Sequence, residues 1–145
     1  MAKFKPQITL QSFGIYSHWD KDSKSLPQIT QFTTQVKAEL DVEFGLIVNI
    51  KKAKGEKLHF CIYHPGIIDT NSEVMLPFEG TVYVKDNDWS FYLGDTVWEP
   101  IEDKIGDWRM TLSLAGKVIA DKTFNLINEK TKTKTEDDFW KYRGY

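Results

Sequence analysis

The chain has 145 residues, and 19 basic against 21 acidic side chains give it a formal net charge of -2. Because charges of both signs are spread along the chain, the electrostatic field is too weak to gather a polyanion, and we expect no nucleic-acid partner. The length predicts a single domain, and the absence of a long apolar run excludes a membrane-spanning helix. We expect no membrane partner.

Cysteine usage and the first residues bear on the compartment. Cys61 is the single cysteine, so the chain cannot form an intramolecular disulfide. The first residues carry two lysines, but no apolar stretch of signal-peptide length follows them. We therefore expect a cytoplasmic protein.

The first predicted strand covers residues 8–16, where apolar residues change parity between Ser12 and Gly14. A change of parity inside a strand predicts a bulge or a bend. Residues 17–27 are polar and without period, which indicates a long surface loop, and this loop carries Trp19.

The longest alternating pattern runs over residues 35–51, and a second covers residues 58–62. Lysines and Gly55 lie between them, a composition typical of a solvated turn. The sequence therefore predicts that the two segments pair as an antiparallel hairpin.

Shorter patterns follow. Residues 80–84 and 89–93 read as strands separated by a turn, and residues 94–105 read as a long connection that carries Trp98 and Pro100. Trp89 shares parity with Phe91 and Leu93, which predicts a core position, whereas Tyr92 is out of register with them and is predicted to face outward.

The most informative stretch covers residues 106–126. Trp108, Met110, Leu112 and Leu114 alternate with polar residues, and a turn containing Gly116 leads into a second strand. This pattern predicts a β-hairpin with Trp108 in the core.

Together these elements predict an all-β protein, an antiparallel immunoglobulin-like β-sandwich of about seven or eight strands. Residues 1–128 are assigned to this domain. Residues 129–145 form a charged C-terminal tail, in which an acidic stretch after Thr135 is compatible with a short helix over residues 135–143.

The chain resembles a bacterial family, the domain-of-unknown-function family 3859 (DUF3859). The resemblance lies in Gly106 and Trp108 with the small turn at 115–117 and Phe124, in the opening segment 13–16, and in the corner at 64–66. It covers most of residues 7–127. It implies a sandwich fold and supplies no catalytic residue to transfer.

Metal sites and catalysis have weak candidates. Residues 20–25 resemble the start of a calcium loop, but Ser25 stands where the turn needs glycine and Gln31 where a glutamate should bind. His59, Cys61 and His64 are too few for a closed zinc site, so we expect no metal and no cofactor. The best nucleophile set, Cys61 with a histidine and Asp69, lacks an activating environment, so no catalytic residue is assigned.

The surplus of aromatic residues supplies the candidate ligand site. Trp19 and Trp98 lie in polar segments beside carboxylates, where they can either stack on a ligand or cover the ends of the sandwich. The candidate ligand-binding residues are Trp19, Tyr92, Asp95, Trp98 and Glu99.

Two functional hypotheses follow. The leading one is a non-enzymatic binding or protein-interaction module with a protein partner, which can form a homodimer through an exposed sheet edge or face. The alternative is a small enzyme, or a carbohydrate- or peptide-binding protein, that uses the loop aromatics and carboxylates. The sequence names no small-molecule ligand.

Overall fold

The computed structural model describes residues 6–17, 26–68 and 71–128. In these ranges it contains nine strands and one 3-10 segment, Glu102–Lys104. In chain order the strands are β1 (Gln7–Tyr16), β2 (Ile29–Phe32), β3 (Gln35–Lys37), β4 (Glu43–Lys51), β5 (Lys57–Tyr63), β6 (Phe78–Tyr83), β7 (Asp88–Thr96), β8 (Gly106–Leu114) and β9 (Lys117–Ile127). No helix in the described ranges has the length and hydropathy that crossing a bilayer requires.

The strands form two sheets, which confirms the predicted all-β sandwich. The four-stranded sheet is antiparallel and has the order β2, β1, β4, β7. The five-stranded sheet has the order β3, β9, β8, β5, β6 and is antiparallel except where β3 pairs with β9. The last described strand ends at Ile127, and the predicted tail with its helix over 135–143 lies outside the described residues.

Aromatic rings join the two sheets at the centre of the core. Phe44 of β4 contacts Trp108 of β8 and Phe124 of β9, with ring centroids 5.4 Å and 5.7 Å apart. All three side chains are fully buried. Trp108 also donates its indole N–H to the carbonyl of Lys104 at 2.8 Å, so its one polar atom is satisfied inside the core.

The hairpin over residues 106–126 forms as predicted, and every residue of β8 pairs with β9, with a register shift between Leu112 and Ser113. Its turn places Ala115 at φ 50° and Gly116 at φ 85°. Positive φ at both central residues is the geometry of a type I′ turn, whose twist matches that of the flanking strands. β1 also contains an irregularity, but it lies earlier than the predicted position at residues 12–14, as a register shift between Leu10 and Ser12 in the pairing with β4.

The predicted antiparallel hairpin of residues 35–51 with 58–62 is wrong. β4 lies in the four-stranded sheet, whereas β5 lies in the five-stranded sheet between β6 and β8. The connection between them crosses from one sheet to the other, with Ala53 buried and the Gly55 N–H bonded to the carbonyl of Val84 at 2.8 Å. Strands with strongly apolar faces are covered best by an opposing sheet, and alternation alone does not say which sheet a strand joins.

The predicted continuous strand over residues 35–51 is also wrong. It divides into β3 and β4, which belong to different sheets. Between them Asp41 adopts φ 69° and Leu40 is 50% exposed, so the chain turns there instead of continuing the alternation. The segment 38–42 lets one stretch of sequence contribute to both layers of the sandwich.

Candidate functional site

An apolar groove lies on the side of the sandwich where β6 and β7 are the last strands of their sheets. We call it the β6–β7 groove, and its volume is about 610 Å³. Its lining residues come from β4, β5, β6, β7 and the segments around His64, Met75 and Trp98; they are Glu43, Phe60, Ile62, His64, Met75, Phe78, Val82, Phe91, Tyr92, Leu93, Gly94, Asp95, Thr96 and Trp98.

Aromatic rings line the groove from one sheet to the other. Phe60 of β5 lies between Phe78 of β6 and Phe91 of β7, at centroid distances of 6.3 Å and 6.1 Å. Phe78 pairs in register with Ile62, so it is on the core-facing side of its sheet, yet it is 62% exposed. The side chain is exposed because β6 ends its sheet and the ring has only partial cover from the opposite layer.

Trp98 closes one end of the groove. Its ring is nearly perpendicular to that of Trp108, with ring centroids 6.1 Å apart, and the ammonium of Lys104 lies 4.4 Å from the centroid of the Trp98 ring. Lys104 is fully buried, where its Nζ donates to the carbonyl of Pro100 at 2.8 Å and to Asp103 at 2.5 Å. Trp98 therefore covers this end of the core and still presents 37% of its surface to solvent.

A buried carboxylate lies beside that end. Glu43 is 6% exposed and accepts hydrogen bonds from the Tyr92 hydroxyl at 2.5 Å and the Thr96 hydroxyl at 2.6 Å. Burial, and then the hydrogen bond to Glu43, raise the pKa of Tyr92 well above its usual range. Gly94 makes room for this arrangement, because a Cβ there would lie 2.1 Å from the Tyr92 hydroxyl.

Three of the five predicted ligand residues line the groove, and the structure revises two of them. Tyr92 is predicted from the sequence to face outward; it lies on the outer face of its sheet but is only 5% exposed, packed with Tyr16 and Ile47. Asp95, which the sequence assigns to a loop, belongs to β7, where its carboxylate accepts the N–H of Thr96 at 2.8 Å. Trp98 is in a loop, as predicted.

The other two predicted residues are not among those that line the groove. Glu99 is exposed and directly precedes Pro100, outside the lining set. Trp19 lies outside the described residues, as does the calcium-like segment 20–25.

Sequence reasoning missed Phe78, Glu43 and Thr96 as groove residues. Phe78 falls at the end of a stretch without clear period, and its one signal is shared parity with Gly80 and Val82. Glu43 does not share the parity of the core residues of β4, and an isolated carboxylate at such a position is predicted to be exposed to solvent. Its two hydroxyl partners are 49 and 53 residues away along the chain, so no local pattern reveals them.

The outer face of the five-stranded sheet carries the other chemistry-bearing residues. The Nε2 of His59 lies 3.1 Å from a carboxylate oxygen of Glu79. Cys61 is buried, and burial raises the pKa of its thiol. A raised pKa keeps the thiol protonated and weakens it as a nucleophile. His64, by contrast, lines the β6–β7 groove, with its Nδ1 2.7 Å from the carbonyl oxygen of Pro65 and its Nε2 2.9 Å from that of Leu76.

These contacts do not assemble the nucleophile set that the sequence offered. His64 is engaged with backbone carbonyls, and Asp69 lies outside the described residues. Within the part of the chain that the structure describes, no group of three or more histidine, cysteine or carboxylate side chains is placed to hold a metal ion.

Comparisons with known proteins agree with this architecture. No curated protein matches the chain. Among solved structures, an immunoglobulin-like protein from Pseudomonas aeruginosa is similar, with 21% sequence identity and a TM-score of 0.66 over 83% of this chain and 97% of that one. This likeness shows an immunoglobulin-like fold. The model of the family described as "Domain of unknown function (DUF3859)" matches residues 4–126, and the chain therefore belongs to that family.

Proposed function

We propose that this domain is a non-enzymatic protein-interaction module that binds an extended segment of another protein in the β6–β7 groove. One observation carries the proposal: an apolar groove lies directly beside the last strand of a sheet. Addition of a strand to such an edge supplies backbone hydrogen bonds, and pockets beside the edge select alternate side chains.

The direction of the β7 backbone supports this mode of binding. Just beyond the two ends of the paired strands, the Val97 N–H bonds to the carbonyl of Val42, and the Lys52 N–H bonds to the carbonyl of Asn87, both at 2.9 Å. Because backbone groups alternate along an antiparallel strand, the odd-numbered residues of β7 bond to β4. The even-numbered residues, including Ser90 and Gly94, direct their N–H and C=O groups to the other side.

The lining side chains favour an apolar segment. A strand next to β7 projects every second side chain towards the core-facing side of the sandwich. There Phe60, Phe78 and Phe91 offer ring surface, and Met75 adds a flexible apolar side chain. Phenylalanine, leucine or valine at alternate positions of the bound segment would cover this surface.

Charge favours a basic residue at the Trp98 end. The described residues that line the groove include the carboxylates of Glu43 and Asp95 and no lysine or arginine. A lysine or arginine in the bound segment would be attracted by these two carboxylates, which mainly improves specificity and the rate of association.

The groove suits a peptide better than a carbohydrate. Sugar recognition needs a flat open ring with hydrogen-bonding groups around it. Here Lys104 lies against the Trp98 ring at 4.4 Å, and both Glu43 oxygens already accept hydroxyl donors.

The buried free thiol of Cys61 also supports placing this function in a reducing compartment, the cytoplasm.

Fluorescence anisotropy with defined peptides tests the proposal. The probes are labelled synthetic peptides of roughly eight residues, the length of a long strand, in which phenylalanine, leucine or valine alternates with threonine and one end carries lysine. We expect saturable binding with a Kd of about 1 to 100 μM, and weaker binding when the same residues are scrambled out of alternation.

Two variants locate the binding site. Phe78→Ser removes exposed ring surface and should raise Kd at least about tenfold, and Asp95→Asn should weaken only the lysine-bearing peptides. Val118→Ser is the matched control, because Val118 is 59% exposed but lies outside the groove. Equal binding by the alternating and scrambled peptides, or equal loss with Val118→Ser, would contradict the proposal, as would binding of oligosaccharides alone.

A further inference from the structure

The outer edge of β6 is open and carries apolar side chains. β6 is the last strand of the five-stranded sheet, and in the described part of the chain its one strand partner is β5. Phe78 and Tyr83, at its two ends, are 62% and 59% exposed. Edge strands are usually protected against pairing with another chain by lysines, by inward-pointing charged residues or by being very short. β6 lacks this protection, because it has six residues and its one charged side chain is Glu79.

The backbone groups that β6 presents can be identified. Val84 donates its N–H to the Glu56 carbonyl at 2.9 Å and accepts the Gly55 N–H at 2.8 Å, so Val84 bonds towards the start of β5. By the alternation of an antiparallel ladder, Val82, Gly80 and Phe78 do the same. Glu79, Thr81 and Tyr83 therefore direct their N–H and C=O groups away from the sheet.

We propose that the occupant of this edge is the same edge of a second copy of the chain, paired antiparallel about a twofold axis at Thr81. In this register Thr81 lies opposite Thr81 of the second copy, and Glu79 lies opposite its Tyr83. By symmetry, Tyr83 lies opposite Glu79 of the second copy. All three pairs are hydrogen-bonded pairs, because each uses backbone groups that face away from β5. Shifting the register by two residues towards the start of β6 would bring in Pro77, which has no N–H, and shifting it the other way would bring in Lys85, which lies beyond the end of β6.

Side chains agree with the same register. Lys85 lies two residues beyond the end of β6, has the same parity as Glu79 and is exposed. Across the axis, Glu79 of one copy is diagonal to Lys85 of the other, within reach of two long side chains, and symmetry forms this ion pair twice. On the other side, Phe78 lies diagonally across from Val82 of the second copy, which gives the exposed ring an apolar neighbour.

The dimer joins the two five-stranded sheets into one continuous sheet through the backbone of β6, whereas the peptide is proposed to pair with the backbone of β7. Phe78 and Val82 line the groove and also flank the dimer contact. The two proposals are therefore distinguished by variants that change one site alone, at Thr81, Glu79 and Lys85 for the dimer and at Asp95 for the peptide. Because the contact rests on one strand and its flanking side chains, it falls at the small end of interface sizes. We expect a Kd between about 1 μM and 1 mM.

Sedimentation velocity of the full chain over a concentration series up to about 1 mM tests the dimer. We expect the mass to rise from monomer to dimer and no further, because a twofold contact is closed. Thr81→Pro removes a backbone donor at the axis without removing a bond to β5, and it should leave the protein monomeric. Thr81→Val keeps the donor and should dimerise like the unchanged protein.

A charge swap tests the register, and its result does not depend on whether the proline variant folds. Glu79→Lys should weaken dimerisation at least about tenfold, and adding Lys85→Glu to it should restore dimerisation, because the exchanged pair regains its attraction. A monomer at every concentration would overturn the proposal. Self-association that persists in Thr81→Pro and is unchanged by the charge swap would assign the contact to another surface and would also overturn the proposal.

Discussion

Trp108 and Trp98 are in edge-on contact, yet the two rings differ in what their removal should cost. Trp108 is fully buried between the sheets, whereas Trp98 is 37% exposed. We expect Trp108→Ala to lower the free energy of unfolding by about 3 to 5 kcal/mol, and Trp98→Ala by about 1 to 2 kcal/mol. Denaturant unfolding measures both, and equal losses would show that Trp98 serves only as packing.

The raised pKa of Tyr16 predicts how the stability of the fold changes at alkaline pH. Burial raises the pKa of Tyr16 to about 12, although the hydrogen bond with Ser12 at 2.7 Å lowers it in part. The unfolded tyrosine loses its proton near pH 10, whereas the folded one keeps it until about pH 12. The stabilisation is thus complete below pH 10 and is lost as the pH rises through that interval, by at most about 1.4 kcal/mol per pH unit.

Chemical unfolding at a series of alkaline pH values measures this effect. The decline in unfolding free energy above pH 10 should be shallower in Tyr16→Phe, which has no proton to lose there. Tyr83→Phe is the control, because Tyr83 is 59% exposed. An identical decline in the unchanged protein and in Tyr16→Phe would contradict the assignment.

Parity along a strand predicts which face a side chain takes, but not whether that face is covered. Trp108 shares parity with Met110 and Leu112, and the opposing sheet buries it as predicted. Tyr92 also lies on the predicted face, yet Tyr16 and Ile47 pack against it there and it is buried. The sequence shows no local sign of this second cluster, because its members come from three different strands.

The turn between β8 and β9 offers a stabilising substitution. Ala115 occupies φ 50°, a left-handed conformation that costs alanine energy and that asparagine tolerates better. Ala115 is exposed, so a polar side chain is accommodated. We expect Ala115→Asn to raise the free energy of unfolding by about 0.5 to 1 kcal/mol. Thermal unfolding measures the change, and a lower melting temperature would argue against the type I′ assignment.

Most strands were predictable from alternation, although β2 was not predicted and β3 was not separated from β4. The pairing of strands was predicted correctly at the two-residue turn between β8 and β9. The hairpin of β8 and β9 is local, so its pattern and its turn specify the pairing together. By contrast, β4 and β5 are adjacent in sequence and belong to different sheets, because the connection with buried Ala53 crosses the sandwich. The β6–β7 groove was not predictable for the same reason, because its lining residues come from strands of both sheets.

At the scale of the whole molecule, the two sheets end on the same side with different strands. β7 ends the four-stranded sheet and β6 ends the five-stranded sheet, and the groove lies between them. We propose that β7 receives a segment of another protein and that β6 pairs with a second copy of the chain. The domain then uses its open side for association in both cases.

Amide hydrogen exchange of the full chain, with and without a saturating alternating peptide, tests the central claim most directly. Strand addition at β7 predicts slower exchange at Ser90 and Gly94, whose N–H groups point away from β4, with little change at β2 on the opposite edge of the same sheet. Unchanged exchange along β7, or slowing confined to β2, would contradict the assignment of the groove as the binding site.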